Sequence, residues 1–263
     1  MHASYEECGQ AGTLGRLRVA VITDIHANLP ALEAVLASAE KRKVEEVWCL
    51  GDVVGYGADP DACTELVRER CDACLVGNHD LAVLGELDIS SFSEAAAAAV
   101  EWTRERIGEP ALEFLRELDP TLQRKGVGLF HASPRDPVWE YVLSIEQADA
   151  CMDAQPERLA LIGHSHVALF FTRLPEDGGL GDARGGQAEN GLKLDLGEGR
   201  WLLNPGSAGQ PRDGDPRAAW LELDTKKEAA RYHRVAYDVD RAAAAIVDAG
   251  LPKRLADRLY IGQ

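Results

Sequence analysis

The chain is short of the features that mark several protein classes. No apolar run approaches the ~18 residues of a membrane span, so nothing in its 263 residues calls for a bilayer. The segment Met1 to Arg16 has no apolar core and does not read as a signal peptide; a flexible leader is expected there. No Lys/Arg-rich stretch occurs. Lys and Arg number 28 against 44 Asp and Glu, for a net charge of -16. Such a chain repels nucleic-acid backbones at long range, which disfavours a nucleic-acid partner. Screening limits that repulsion to roughly 8 Å at physiological salt, so a small phosphorylated partner stays open if its site is locally positive. With no export signal, the six cysteines read as reduced thiols in a cytoplasmic protein. Only one CxxC is present, Cys71 to Cys74, and Cys74 leads into the apolar Leu75-Val76. Structural thiols are therefore expected, ahead of a redox pair or half a zinc site. No internal repeat is visible.

What is present is an ordinary hydrophobic content, 46%, on a chain long enough to bury a large core. Periodicity predicts strands over Arg18–Thr23, Val47–Leu50 and Ala73–Val76, alternating with helices over Leu29–Arg42 and Pro60–Arg70. Helices follow over Ser91–Ile107, capped by Ser91 or Ser93, and over Ala111–Leu118. The second half is richer in strands: Gly126–Phe130, Leu159–Ile162 after a helix around Ile145–Met152, then Val167–Arg173, Leu192–Leu196 and Trp201–Leu203. A late hairpin pairs Ala218–Asp224 with Ala230–Tyr237. Pro175 to Asn190, rich in Gly, Asp and Glu, is expected to be a mobile loop. This order is α/β followed by more β. A main domain over 17–239 and a C-terminal helical extension over 240–263, packed on the same domain, are expected.

Chemistry concentrates in four blocks: Asp24-Ile25-His26, Gly51-Asp52, Gly77-Asn78-His79-Asp80 and Gly163-His164-Ser165-His166, with a lone His131 between the last two. Five of the seven histidines fall in this set. Carboxylate, imidazole and amide groups in this mixture suit two divalent metals and a hydrolytic reaction. Each block lies at the end of a predicted strand, where ligands of an α/β sheet collect. His131, on an apolar strand, is the one whose alternative is a plain core histidine. His164 and His166 alternate around Ser165 and would share a face. His2 and His233 match no block and read as structural or exposed.

The five blocks, in order, resemble the calcineurin-like metallophosphoesterases, whose pattern runs D-x-H, GD, GNH[DE], H and GH-x-H. The resemblance spans about Arg18 to Trp220. Asp24 to Leu36 and Asn204 to Asp213 are also similar to a bacterial and archaeal branch of small phosphodiesterases related to dinucleoside tetraphosphate hydrolases. It implies a four-layer αββα sandwich of two mixed β-sheets flanked by helices. It implies that one metal is held by Asp24, His26 and His166 and the other by Asn78, His131 and His164, with Asp52 bridging. A metal-bridging hydroxide would then attack phosphorus, since metal binding lowers the pKa of water from about 15.7 towards 7. His79 matches the family histidine that protonates the leaving oxygen or stabilises transition-state charge, with Asp80 beside it to orient the ring. The all-N/O donor set leaves Mn, Fe, Zn, Co and Ni open.

Substrate contacts have paired readings. Asn28 either touches phosphate or caps the following helix. Arg212 either grips phosphate bidentately or pairs with Asp213 or Asp215. Tyr56 either stacks on a base or packs as an ordinary aromatic. Gly206 and Ser207 are candidate backbone donors to an anion. After Gly51-Asp52 the chain continues Val-Val-Gly-Tyr-Gly, unlike the Val-Asp-Arg-Gly type of the protein Ser/Thr phosphatases, so a phosphoprotein is not the expected substrate. The expected function is hydrolysis of a small phosphodiester or nucleotide, with a dinucleoside polyphosphate among the candidates. A nuclease of the same superfamily and a catalytically idle metal-binding regulatory module are the rivals. Oligomeric state, a homo-oligomer included, is left open.

Overall fold

The computed structural model describes residues 17–263; the expected leader over 1–16, with His2 and Cys8, lies outside them. In chain order the elements are β1 (Arg18–Ile22), α1 (Leu29–Lys41), β2 (Glu46–Cys49), α2 (Pro60–Arg70), β3 (Ala73–Cys74), α3 (Asn78–Leu84), α4 (Glu94–Arg104), α5 (Glu109–Arg116), β4 (Thr121–Arg124), β5 (Val127–Phe130) and α6 (Ile145–Ala154). There follow β6 (Leu159–Leu161), β7 (Ala168–Arg173), β8 (Pro175–Glu176), β9 (Gly179–Leu180), β10 (Arg184–Gln187), β11 (Lys193–Asp195), β12 (Arg200–Pro205), β13 (Ala218–Asp224), β14 (Ala229–Val235), α7 (Val239–Asp248), α8 (Lys253–Asp257) and a 3-10 turn over Arg258–Tyr260.

The strands form two six-stranded mixed sheets, ordered β11-β14-β13-β1-β2-β3 and β10-β7-β12-β6-β5-β4. Within the first, β1, β2 and β3 run parallel; within the second, β5, β6 and β12 do. The two-residue side-chain period of a strand sorts the core. In β1, Val19 and Val21 face the other sheet, against Trp48, Leu50, Leu161 and Leu203. Ala20 and Ile22, on the opposite face, pack with Leu32, Val35 and Leu36 of α1. On the far side Ala160, Phe171 and Leu202 meet Cys151 and Met152 of α6. Helix, sheet, sheet, helix is the four-layer αββα sandwich expected from the resemblance.

Helix starts follow capping chemistry. Ser93 Oγ accepts from Ala96 N at 3.4 Å, and Ser144 and Gln147 form a capping box at α6. α7 and α8 bury Ala242, Ala243, Ile246, Leu255 and Ala256 against Ala95, Ala96 and Ala99 of α4 and against Tyr56. The C-terminal segment therefore packs beside the loop that follows β2.

Two expectations change. Pro175 to Asn190 is not a loop throughout: it holds the β8–β9 hairpin and β10, which pairs antiparallel with β7, Gly185 opposite Phe171. Gly185 is there for close approach, because a Cβ would collide with the Phe170 carbonyl. β4 is polar and half-exposed, so it lacks the alternation that marks a buried strand; it forms one edge of its sheet. Leu203, fully buried between the sheets, tests the inter-sheet core. Leu203→Ala should lower unfolding free energy by about 2–5 kcal/mol in urea denaturation, with a loss under 1 kcal/mol contradicting this packing.

Candidate metal centre

The six parallel strands bring their C-terminal ends to one place. Asp24 and His26 follow β1, Asp52 follows β2, and Asn78 and His79 open α3 just after β3. His131 follows β5, and His164 and His166 follow β6. All eight are buried. The loops are held by main-chain hydrogen bonds from Asp24 N to Gly51 O (3.0 Å), His26 N to Asp52 O (2.9 Å) and Ala27 N to Val53 O (2.8 Å). Asp24, His26, Asp52, His164 and His166 all adopt left-handed φ between 51° and 63°. Each such non-glycine residue costs on the order of 1–3 kcal/mol and persists only where its surroundings hold it.

Hydrogen bonds fix the imidazole tautomers. His26 Nδ1 lies 3.1 Å from Val54 O, His131 Nδ1 2.9 Å from Leu50 O, and His166 Nδ1 2.6 Å from Gln210 O. A carbonyl only accepts, so each Nδ1 carries the hydrogen and each Nε2 presents a lone pair. These lone pairs meet other acceptors. His26 Nε2 stands 3.0 Å from His166 Nε2 and 3.5 Å from Asp52 Oδ2. His166 Nε2 is 3.5 Å from Asp24 Oδ1, and His131 Nε2 is 3.7 Å from Asp52 Oδ1. Asp24 Oδ1, Asp52 Oδ2 and His164 Nε2 are buried without a hydrogen-bond partner. Protonating these imidazoles does not relieve this: burial pushes His26 and His166 well below their usual range and His164 down to about 2. A buried cluster of imidazole lone pairs and carboxylates, with no hydrogen on any of the facing imidazole nitrogens, fits a cation.

Two groups of ligand atoms lie within 4.8 Å of one another: Asp24, His26, Asp52 and His166, and Asp52, His131 and His164. Asp52 belongs to both. Asn78 Oδ1 stands 3.1 Å from His131 Nε2, beside the second group. All seven residues read from the sequence as metal ligands are thus brought together.

Residues 17–226 match the family model of the calcineurin-like phosphoesterase superfamily domain. The chain belongs to that superfamily. This phosphoesterase is 38% identical over 251 residues to an uncharacterised protein of Methanocaldococcus jannaschii, covering 93% of its own chain and 98% of the relative. The crystal structure of a metallophosphoesterase from Sphaerobacter thermophilus matches it with a TM-score of 0.84 at 38% identity, over 94% of this chain and 99% of that one. A hypothetical protein of Pyrococcus horikoshii shares the fold, with a TM-score of 0.73 at 21% identity over 94% and 98% of the two chains. The phosphoesterase is accordingly a phosphoester hydrolase whose buried Asp and His groups bind divalent metal.

His79 sits among the ligands. Its backbone N–H donates to Asp52 Oδ1 at 2.8 Å, while its ring Nδ1 is buried without a partner. The ring stacks on Phe92 at 5.0 Å and lies 4.3 Å from Tyr56. Burial, then Arg212 and His131, lower its pKa to about 3. Gly55 makes room, since a Cβ there would come within 2.6 Å of His79 Nδ1. Asp80 does not orient this ring. Its carboxylate accepts from Val53 N (3.2 Å), Val54 N (2.9 Å) and Gly77 N (2.9 Å), tying the β2 and β3 loops together. Adjacent helical residues point apart, which is why the expected pairing is absent.

The proposed substrate contacts divide. Asn28 caps α1, with Oδ1 accepting from Ala31 N at 3.2 Å and Nδ2 donating to Gly209 O at 2.7 Å. Its polar atoms are spent on the fold, so the helix-cap reading holds rather than the phosphate contact. Gly206 N donates to Asn204 Oδ1 at 2.9 Å and is not a free anion donor. Ser207 Oγ donates to Asp24 O and accepts from Gln210 N, both at 2.7 Å, so it steadies a ligand loop. Arg212 forms no ion pair with Asp213 or Asp215, which pair with Arg234 and Arg217. Its Nη2 donates to Tyr56 OH (3.3 Å) and Gln210 Oε1 (3.0 Å), and its backbone N donates to His166 O. Tyr56 lies 4.6 Å from the His26 ring.

Sequence reasoning missed the aromatic wall of Phe92, Trp139 and Tyr141. Tyr141 lies 4.1 Å and Trp139 6.4 Å from the His164 ring, and Trp139 is 5.4 Å from Phe92. Trp139 and Tyr141 come from the irregular stretch before α6, which has no periodicity to draw attention. Gln210, whose carbonyl sets the His166 tautomer, had no signal at all, because the contact is through backbone.

Metal binding should release protons from carboxylates, not imidazoles. Burial, with a further push from Asp52, raises Asp24 to about 7 in the metal-free site, while burial keeps His26, His164 and His166 neutral. Below pH 7 a metal must therefore displace the Asp24 proton; above it, none is held there. Calorimetric titration with Mn in buffers of different ionisation enthalpy should show more protons released at pH 6 than at pH 8.5, by about one, as Asp24 loses its own proton between them. Equal release at both pH values would refute this.

Proposed function

We propose that the protein is a phosphodiesterase or nucleotide hydrolase that works with two divalent ions. One set of ligands is Asp24, His26 and His166, the other is Asn78, His131 and His164, and Asp52 belongs to both. The observation that carries this reading is the pair of lone-pair clusters that share Asp52. Two cations roughly 3.5–4 Å apart need an anion between them, and a shared carboxylate supplies it. When bound, such ions acidify water and neutralise phosphoryl oxygens, which suits in-line displacement at phosphorus.

The chain's own residues would do the rest. Asp52 would hold the two ligand sets in register, and its anchor to His79 N keeps it from turning away. His79 would face the leaving oxygen with an imidazole kept neutral by burial, stabilising developing charge through its N–H rather than delivering a proton from an imidazolium. Arg212, free of any carboxylate among the described residues and fixed to the backbone of His166, would hold a phosphoryl oxygen. Phe92, Trp139 and Tyr141 would give the leaving group or a base an apolar wall. A small phosphodiester or nucleotide suits this aromatic-lined approach best.

Two variants test the reading with bis(p-nitrophenyl) phosphate and Mn. His79→Ala should lower kcat by about 10²–10⁴-fold while bound metal, measured by elemental analysis, is retained. Asp52→Asn should lower both turnover and metal content. If neither variant slows hydrolysis, the two-ion catalytic reading is wrong.

A further inference from the structure

Two guanidinium groups share one aromatic ring at the edge of the metal centre. The Arg212 guanidinium lies 5.6 Å and that of Arg258 5.9 Å from the centre of the Tyr56 ring. Arg258 comes from the 3-10 turn after α8, beyond the 17–226 span that matches the superfamily. Like charges placed this close in a half-buried setting repel, and burial together with Arg212 lowers the Arg258 guanidinium from its usual range.

A neighbouring carboxylate would normally offset that repulsion, and the chain is rich in them. Asp213 pairs with Arg234, Asp215 with Arg217, and Asp257 with Lys253, and the carboxylates whose charge Arg212 feels are Asp24 and Asp52 of the metal centre itself. Neither Arg212 nor Arg258 forms an ion pair among the described residues. Arg258 Nε donates to the main-chain oxygen of Gln263, the last residue of the sequence, and Arg212 Nε is buried without any partner. Tyr56 is itself fixed against the His26 and His79 rings, at 4.6 and 4.3 Å. The sequence of contacts thus runs from the metal ligands through Tyr56 and Arg212 to Arg258.

We propose that Arg212 and Arg258 form a subsite for a second phosphate of the substrate, beyond the one that is cleaved. Two forked donors beside one rigid ring, neither paired to a side-chain carboxylate, match a phosphate chain better than an isolated phosphodiester. The cation–π contacts hold both forks in place before the ligand arrives. Substrates whose reacting phosphorus is linked to a further phosphate, such as nucleoside oligophosphates, are then preferred over simple diesters. This assignment deepens the phosphoesterase reading above and rests on it for the position of the cleaved phosphate.

Calorimetric binding to metal-free protein tests the subsite without turnover, with tripolyphosphate and orthophosphate as probes. Arg258→Gln should lower the ratio of tripolyphosphate to orthophosphate affinity by about 10-fold or more. Arg258→Lys, which keeps the charge, should restore part of it, and circular dichroism should show both variants folded. An unchanged ratio in the glutamine variant, or a lysine variant no better than glutamine, overturns the subsite. Turnover separates this proposal from the one it rests on. Tripolyphosphate binding that depends on Arg258, with no hydrolysis of any phosphoester, upholds the subsite and overturns the catalytic reading. Hydrolysis of bis(p-nitrophenyl) phosphate with no Arg258 dependence in either assay does the reverse.

Discussion

Two carboxylates and four imidazoles are buried so that their lone pairs face one another, and the rest of the molecule is arranged to keep them there. His26 Nε2 against His166 Nε2 at 3.0 Å is repulsive for two neutral imidazoles whose hydrogens sit on Nδ1. Without a cation the ligand loops would spread or take up protons. Burial blocks the second route for the imidazoles, and it partly opens it for the carboxylates by raising Asp24 and Asp52. The result is a site held ready for metal by the protein rather than shaped by it on arrival, with the cost carried by the packed sheets behind it.

That cost is visible in the backbone. Seven of the ten non-glycine residues with left-handed φ among the described residues lie in the loops after β1, β2 and β6. Such geometry survives because the loops bond to one another more than to solvent. Asp80 joins three amides of two loops, Ser207 joins Asp24 to Gln210, and Asp24 accepts from His164 N across the two sheets at 3.1 Å. The last contact matters most for geometry. It ties a ligand of the first sheet to a loop of the second, so the inter-sheet core and the metal site cannot shift independently. Gly77 completes the fit, since a Cβ would strike the Asp52 carboxylate.

What could be read from the sequence follows from how each feature is encoded. Asp24, His26, Asp52, Asn78, His131, His164 and His166 were legible because metal ligation needs specific side chains in short fixed spacings at strand ends. The strands flanking them were legible from apolar runs, and Ser93 from its capping chemistry. Asn28 was open to two readings because the same polar side chain serves a ligand or a helix cap equally well, and only the partner atoms decide. Asp80 was misassigned for a related reason: adjacency in sequence is not adjacency in space on a helix. Trp139 and Tyr141 come from a stretch with no periodicity, Phe92 and Arg258 from segments read as helical, and the convergence of all four is a property of the tertiary fold alone. The edge strand β10 was hidden by its glycines, whose composition imitates a loop.

The charge balance acquires a different meaning once the site is in view. A net charge of -16 would seem to oppose an anionic substrate. Yet exposed charge acts over only roughly 8 Å at physiological salt. At the mouth of the metal centre the acids nearest in sequence are bound to Arg234, Arg217 and Lys253, and Arg212 and Arg258 are left with an aromatic ring in place of a counterion. A low-dielectric wall of Phe92, Trp139 and Tyr141 strengthens whatever field those cations produce. The acidic exterior and the cationic entrance are therefore compatible. On the proposed reading, the first disfavours polyanions such as nucleic acids at the surface, and the second receives a phosphorylated substrate.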